Sequence, residues 1–329
     1  MAEPHLAEVE SNIESIRERI NSVRNQLDTY FVDKRDVIDL MTICTAAHEP
    51  LLIVGKPGTA KSDLVVKFCQ AISVEGEDYF EYMLTKFTEP SEIIGPVDIT
   101  QLKDGRYFRK VKGKLPDCRV AFLDEIFKSN SAILNTLLTI VNERKFYQDG
   151  QPVPVDLVML FAATNEIPEF EELGALRDRF ILKVESKSVR DTGFESLLEK
   201  GLQNDIRKAF GQKPWAGVAT LQDFQDFKLY LDHMIRRNPP QALSNLEDPF
   251  FPSDVFLLFK RILKTLVAED KLEISDRKII KLYKLLRTRA LLFHGGVVTK
   301  DDLRLLRFIP DNLKDFDPVA EKVDSLLQL

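Results

Sequence analysis

The sequence predicts an α/β protein: a five-stranded parallel sheet with helices on both faces, followed by an all-α domain. Short apolar runs recur at residues 51–54, 79–84, 120–123, 158–163 and 181–184, with helical patterns between several of them. Such runs are typical of parallel strands buried on both faces. After about Glu185 the runs stop and the chain becomes mainly helical. We therefore expect one domain at residues 1–187 and a second at 188–329.

Composition narrows the class of protein before any motif is considered. The 329 residues are 44% hydrophobic and 30% charged, with a formal net charge of −6, which is typical of a globular protein. The acidic balance argues against nucleic acid as a general partner. Three widely spaced cysteines match neither a disulfide framework nor a zinc motif, so we expect a reducing cytoplasm. The absence of an uncharged apolar run of about 18 residues predicts no membrane span.

The N-terminal segment and residues 192–248 lie outside the predicted strands. The first has apolar residues at helical spacing and is expected to pack on the sheet domain. Its apolar stripe consists of Val9, Ile13, Ile16, Ile20, Val23 and Leu27. Residues 192–248 are polar and mixed, and we interpret them as an insertion in the all-α domain with a loop at Pro239 and Pro240.

Capping residues predict where the later helices begin and end. Ser253 and Ser275 are each expected to cap a helix, and the second helix should end at Gly295. Thr299 with Asp302 resembles a capping box and is expected to begin a third helix.

A phosphate-binding loop is predicted directly after the first strand. The segment consists of Gly55, Lys56, Pro57, Gly58, Thr59, Ala60, Lys61 and Ser62. It opens a helix at 63–71, and backbone N–H groups at such a helix start bind phosphates. Lys61 would contact the β- and γ-phosphates of ATP, and Ser62 would bind Mg²⁺. Ala60 stands where a glycine is usual, and we expect it to be helical enough to accept the methyl group.

Two further strands end in polar side chains that suit nucleotide hydrolysis. Residues 120–123 deliver Asp124 and Glu125 to the carboxyl edge of the sheet, where ligands bind in such folds. Asp124 would hold Mg²⁺, and Glu125 would polarise the attacking water. Asn165 follows the next long apolar run and can fix that water; the alternative is a turn residue at a strand end.

The order of these motifs resembles AAA+ ATPases, more narrowly the MoxR family and its RavA branch (regulatory ATPase variant A). The matching stretches are GKPGTAKS at 55–62, VAFLDEIFKSNSAILNTLLTIVNERKF at 120–146, FAATNEIPE at 161–169, LRDRF at 176–180 and ISDRK at 274–278. The resemblance implies that Asn165 is sensor 1 and Arg179 an arginine finger entering a neighbouring subunit, with Arg177 as a second candidate. It also implies that Arg277 is the sensor 2 residue of a helical lid and touches the γ-phosphate.

The resemblance also implies an assembly and a partner. It predicts a homo-oligomer, most simply a hexameric ring, that binds ATP or ADP with Mg²⁺ at subunit boundaries and remodels a partner protein in a chaperone-like way. MoxR relatives commonly act with von Willebrand factor A domains. Two insertions, at 88–116 and 146–155, carry Asp-Gly hairpin signals at residues 104–105 and 149–150. They could contact a partner or be plain solvated hairpins.

Three other functions remain compatible with parts of the sequence. A nucleotide-gated scaffold with little turnover would not need Glu125, Asn165 and Arg179 together. A nucleic-acid-acting AAA+ motor would fit the basic insertion, but no helix-turn-helix or zinc module is recognisable. A small-molecule kinase would not explain Arg277 in a helical lid.

Overall fold

The computed structural model describes residues 2–168, 173–190, 193–237 and 249–328. The strands are β1 (Leu51–Val54), β2 (Tyr79–Met83), β3 (Val120–Asp124), β4 (Lys145–Gln148), β5 (Gln151–Pro154), β6 (Met159–Thr164) and β7 (Leu182–Glu185). The α-helices are α1 (Ala2–Tyr30), α2 (Arg35–Ala47), α3 (Lys61–Ala71), α4 (Pro90–Ile94), α5 (Ile99–Lys103), α6 (Ser131–Glu143), α7 (Gly174–Arg177), α8 (Phe194–Ala209), α9 (Leu221–Arg237), α10 (Ser253–Ala268), α11 (Asp276–His294) and α12 (Phe316–Leu327).

The central sheet confirms the predicted fold class. It has five strands in the order β2-β3-β6-β1-β7, and its neighbouring strands are parallel. Val54 at the end of β1 lies in register with Thr164 of β6 and Glu185 of β7. The carboxyl ends of these strands therefore meet at one edge, which brings the loops after them close together.

Both faces of the sheet are covered, as predicted. Along β1, Leu51 and Ile53 belong to one buried cluster with α1, α2 and α3. Leu52 and Val54 point the other way, into a cluster that includes residues of α6. Because neighbouring side chains on a strand alternate between faces, a four-residue strand without polar side chains requires a core on each side.

The N-terminal helix packs on the protein, as its apolar stripe predicts. All six stripe residues of α1 are buried, and the helix contacts α2, α3 and α9. The guanidinium of Arg24 stacks 3.6 Å from the ring centre of Phe293 in α11. The first helix therefore joins the α/β layer to the C-terminal helices.

The stretch interpreted as an insertion contains α8 and α9. Helix α9 packs against α1 and α2, and Phe224 of α9 contacts Phe68 of α3 edge to face. This helix is thus attached to helices that cover the sheet. The Pro239–Pro240 loop lies outside the described residues, and the domain boundary at 187/188 stays a prediction.

The C-terminal helices confirm two of the three predicted helix starts. Lys278 N donates to Ser275 Oγ over 3.3 Å, and α11 ends at Gly295 with φ +92°. Thr299 and Asp302 form a capping box, although the helix they begin is a 3₁₀ helix at Lys300–Phe308. The cap at Ser253 is wrong, because Pro252 occupies the cap position and Ser253 is already the first helical residue. No described helix is long and apolar enough to cross a membrane.

The two predicted insertions differ in form. Strands β4 and β5 make the expected hairpin, with Asp149 (φ 48°) and Gly150 (φ 74°) at its tip, which is the signature of a type I′ turn. A tight hairpin turn at Asp104–Gly105 is wrong, since that pair ends the short helix α5. The segments on either side still pair antiparallel at Val97 and Arg109. The insertions are bonded to each other: Tyr107 N donates to Asp149 Oδ1, and Asp149 N donates to Tyr107 O, both over 2.9 Å.

Candidate functional site

The loop at residues 55–60 is anchored to the ends of the two strands that flank β1. Gly55 N donates to Thr164 O over 3.1 Å, and Ser186 Oγ donates to Thr59 O over 2.7 Å. A Cβ on Gly55 would lie 2.7 Å from Ser186 O and 2.9 Å from Thr59 Oγ1. Only glycine fits there, because backbone atoms cannot yield to a side chain. The strands therefore fix the loop before any ligand binds.

Ala60 adopts a conformation that its side chain disfavours. Its φ of 65° and ψ of 22° place it in the left-handed region, and α3 begins only at Lys61. The expectation of a helical Ala60 is therefore wrong. Left-handed geometry brings Cβ close to the following carbonyl and costs roughly 1–2 kcal/mol for an L-residue other than glycine. This explains physically why glycine is usual at this position.

Lys61 is buried at the start of α3 and points along the loop. Its Nζ donates to Gly55 O, to Lys56 O over 3.3 Å and to Asn165 Oδ1 over 3.0 Å. Burial lowers the pKa of Lys61, and the charges of Asp124 and Glu125 oppose that effect. The ammonium group therefore lies within the field of both carboxylates.

Asn165 joins Lys61 to Glu125. Its Nδ2 donates to Glu125 Oε1, which Lys128 Nζ also approaches at 3.3 Å. Glu125 is buried and left-handed (φ 55°), and its N–H is bonded to Asp124 Oδ1 over 2.8 Å. The structure thus brings together the three motifs that lie far apart in the sequence.

The residues present suit a nucleotide and a divalent cation. Gly58 has φ +82° and open space where a Cβ would stand, as a loop that wraps a phosphate requires. Ser62 is half-buried on the first turn of α3, and the carboxylate of Asp124 is only partly covered. A hydroxyl and a carboxylate are oxygen ligands of the kind that Mg²⁺ prefers. Among the described residues, no group of three or more His, Cys, Asp or Glu side chains could hold a metal ion.

A cleft of about 470 Å³ adjoins the loop and was missed by the sequence analysis. Besides residues 56–60, its lining includes Phe31, Val32, Val189, Phe194 and Leu197, with the basic Lys34, Lys187 and Arg190. Its mixed apolar and basic character suits the base and sugar of a nucleotide. The lining comes from the end of α1, the loop after β7 and the start of α8. No local motif could have predicted it, because those segments meet only in the fold.

The candidate arginines occupy different surroundings. Arg177 is held within the chain, since its Nη1 donates to Pro168 O over 2.6 Å. Arg179 faces Asp178 at 3.8 Å, and its buried Nε has no hydrogen-bond partner among the described residues. Burial lowers the pKa of Arg179, and the nearby charge of Arg277 lowers it further. Arg179 and Arg277 are therefore neighbours in one subunit, and Arg179 makes no described hydrogen bond to the Lys61 cluster.

A buried ion cluster links the surroundings of these two arginines. Asp311 lies 2.7 Å from Lys183 Nζ and 3.4 Å from Lys278 Nζ. Lys183 also donates to the carbonyl of Phe180 over 2.6 Å. Phe180 follows Arg179 and Lys278 follows Arg277, so Asp311 joins the two segments. Burial lowers the pKa of Lys183 to about 8, although Asp311 opposes it.

The parallel sheet, the phosphate loop and the helical lid define a P-loop ATPase of the AAA+ class. A family model described as the MoxR domain in the MoxR-vWA-beta-propeller ternary systems matches residues 18–226. A model of an AAA lid domain matches residues 254–316. The chain belongs to the MoxR family of AAA+ ATPases.

Related sequences match most of this chain, and one solved structure shares its fold. Two uncharacterized proteins of Methanocaldococcus jannaschii are 33% and 32% identical, over 90% and 89% of this chain and 72% and 70% of their own lengths. A structural protein of Acidianus two-tailed virus is 28% identical over 86% of this chain and 46% of its own. A crystal structure from Cytophaga hutchinsonii has a TM-score of 0.69 at 17% identity, covering 98% of this chain and 97% of that one, and thus shows the same fold.

Proposed function

We propose that this chain hydrolyses ATP in a Mg²⁺-dependent reaction at the site formed by Lys61, Asp124, Glu125 and Asn165. One observation carries the proposal. Asn165 bonds Lys61 through its oxygen and Glu125 through its nitrogen. The proposed phosphate-binding cation and the candidate base are therefore both held by one side-chain amide. A water beside that amide would lie between the γ-phosphate and Glu125, where it could attack.

The chemistry follows from these side chains. The backbone N–H groups of the loop and the start of α3 would bind the phosphates, and Lys61 would leave its carbonyl partners for the β- and γ-phosphates. Asn165 would orient a water whose oxygen attacks the γ-phosphorus while its proton passes to Glu125, and ADP departs. Ser62 and Asp124 would hold Mg²⁺, which neutralises phosphate charge when bound. Residues 31–34 and 187–190, with Phe194 and Leu197, would enclose the base and sugar.

The two neighbouring arginines favour a site that is completed by another copy. Arg179 and Arg277 repel each other within one subunit, and an anionic phosphate from a second subunit would relieve that repulsion. We assign Arg179 as the finger and Arg277 as its companion, with Arg177 confined to supporting the loop after β6. A head-to-tail ring, hexameric by resemblance, would place such a pair at every nucleotide.

Remodelling of a partner protein is the role we propose for the energy of hydrolysis. The description of the matching family model names vWA proteins, which supports a von Willebrand factor A domain as partner. The joined insertions present exposed Ile99, Tyr107 and Tyr147 beside basic residues, a surface suited to protein contacts. We also propose that the chain belongs to the RavA branch. Its three cysteines are free and buried, which supports a reducing cytoplasm as its location.

Replacement of the proposed base tests the mechanism. Glu125→Gln should keep ATP affinity within a few-fold, because the amide has the same shape, and should lower turnover by at least about 10² because the base is gone. Glu166→Gln is the matched control, since this exposed acid follows Asn165 but lies outside the bonded cluster. Phosphate release and a fluorescent ATP analogue would measure the two effects. Hydrolysis at the wild-type rate by Glu125→Gln would refute the assignment.

A further inference from the structure

Helix α8 turns its apolar face away from the protein. Six large apolar side chains on α8 or directly after it are between 40% and 75% exposed. They are Phe194, Leu197, Leu198, Leu202, Ile206 and Phe210. Five of them follow one another at steps of four, which aligns them along one side of the helix. We call Phe194, Leu198, Leu202, Ile206 and Phe210 the α8 face.

The polar side of α8 is the side that attaches it to the protein. Lys200 Nζ donates to Asp28 O over 3.1 Å and to Phe31 O over 2.8 Å. Asn204 Nδ2 donates to Tyr30 O over 3.1 Å. These bonds satisfy carbonyls at the C-terminal end of α1, which have no partner within that helix. The orientation of α8 is therefore fixed by hydrogen bonds that leave its apolar side outward.

The size of the α8 face points to a macromolecular partner. Side chains of this size at roughly half exposure present on the order of 500 Å² of apolar surface, at the upper end of what monomers usually expose. Standard interfaces take about 800 Å² from each partner. The α8 face alone would supply more than half of one side, which is enough to anchor an interface.

A second exposed apolar patch lies on the same chain. Ile279 and Ile280 are exposed on the first turns of α11, close to the exposed Arg277. We call these three residues the α11 patch. The first turns of α8 instead expose Glu195 and Glu199. The α8 face thus has acidic neighbours, and the α11 patch has Arg277 with the acidic Asp276 beside it.

We propose that the α8 face of one subunit receives the α11 patch of the next copy in a head-to-tail contact. Two different patches on one chain are what a repeating, ring-forming interface requires. Phe194 and Leu197 also line the cleft beside the phosphate loop. Docking on α8 would thus bring the neighbour's Arg277, and with it Arg179, to the border of the nucleotide site. The inference rests on the proposed supply of these arginines in trans.

Pairwise cross-linking tests the contact. Leu202→Cys and Ile280→Cys replace side chains of similar exposure, and the native cysteines 44, 69 and 118 are buried. The full-length variants, mixed with ATP and a short bismaleimide, should give a covalent dimer that neither variant gives alone. A dimer from Leu202→Cys alone would mean that two α8 faces meet, and would overturn the proposal. Assembly seen by light scattering without a covalent dimer between the two variants would also overturn the proposal.

A charged substitution on the same face tests its contribution to assembly. Leu198→Glu should shift assembly to at least about tenfold higher protein concentration and lower the specific ATPase rate in parallel, while binding of a fluorescent ATP analogue changes less than about twofold. Leu257→Glu, on α10, is a matched control because Leu257 is 53% exposed against 52% for Leu198. Unchanged assembly by Leu198→Glu would overturn the interface. A specific rate independent of wild-type concentration would instead remove the trans mechanism itself.

Discussion

At the scale of single residues, two positions at the nucleotide site have a strained backbone. Ala60 in the phosphate loop and Glu125 at the end of β3 are both left-handed residues with a side chain. Each such conformation costs on the order of 1–3 kcal/mol and persists only where the surroundings enforce it. For Glu125 the strain turns the carboxylate back toward Asn165. For Ala60 it lets the chain enter α3 directly after the loop.

Substitution of Ala60 measures that strain. Ala60→Gly should leave the free energy of unfolding unchanged or raise it by up to about 1 kcal/mol, because the relieved clash competes with the greater freedom of unfolded glycine. Ala60→Val should lower it by more than about 2 kcal/mol, since β-branched residues are poorly tolerated at positive φ. Urea unfolding would give both values. Equal stability of the glycine and valine variants would contradict a left-handed Ala60.

The sequence predicted which candidate site residues lie together better than it predicted their conformation. Lys61, Asp124, Glu125 and Asn165 were placed by their positions after strands, and register brings those strand ends together. The prediction of a helical Ala60 was wrong because a family motif reports which residues occur and says nothing about φ. The cleft beside the loop was missed because its walls depend on how α8 meets α1.

At the scale of elements, the Lys183–Asp311–Lys278 cluster fastens the C-terminal helices to the edge of the sheet. Lys183 lies on β7, Lys278 on α11, and Asp311 in the segment after the 3₁₀ helix. Lys183 is fully buried, so its charge is costly and its tie to Asp311 offsets that cost. The cluster positions the segments that carry Arg179 and Arg277.

The depressed pKa of Lys183 predicts a pH dependence of stability. Between its folded pKa of about 8 and its ordinary value of 10.5, the unfolded chain keeps a proton that the folded state has released. The stability due to Lys183 therefore rises with pH across this window, by up to about 3 kcal/mol. Relative to Lys183→Met, wild type should gain stability from pH 7.5 to pH 10. Urea titrations at several pH values would show this.

Lys103→Met provides the control for that titration, because Lys103 is exposed on the short helix α5. The difference in unfolding free energy between Lys103→Met and wild type should stay constant over the same pH range. If the stability difference between wild type and Lys183→Met were also flat, Lys183 would keep its proton over this pH range, and burial would not lower its pKa.

Secondary structure was predictable where a periodic pattern is buried within the chain. The five strands and the stripe of α1 were predicted because each pattern meets the core of the same subunit. The turn at Asp104–Gly105 was misread because a short helix precedes it, and an Asp-Gly pair ends a helix as readily as it turns a hairpin. For α8, periodicity indicates an apolar face but carries no information about which molecule covers it.

At the scale of the whole molecule, the proposed mechanism divides the reaction between two groups of residues. Lys61, Asn165 and Glu125 are bonded together in one group, and Arg179 beside Arg277 forms the other. If the arginines act in trans, as proposed, an isolated subunit would bind ATP but lack the charge that stabilises the transferring phosphoryl group. Turnover should depend on assembly, which makes oligomerisation a control on activity.

Mixing two inactive variants tests this division directly. Arg179→Ala retains the base and should lose on the order of 10³–10⁵ in rate through loss of the finger. Glu125→Gln retains the finger and lacks the base. If the finger acts in trans, mixing them should restore a measurable fraction of turnover, because Glu125→Gln subunits supply Arg179 to intact sites. Arg177→Ala mixed with Glu125→Gln should show no such gain over dilution, since Arg177 serves its own chain. Co-assembly without recovered turnover would assign Arg179 to its own subunit.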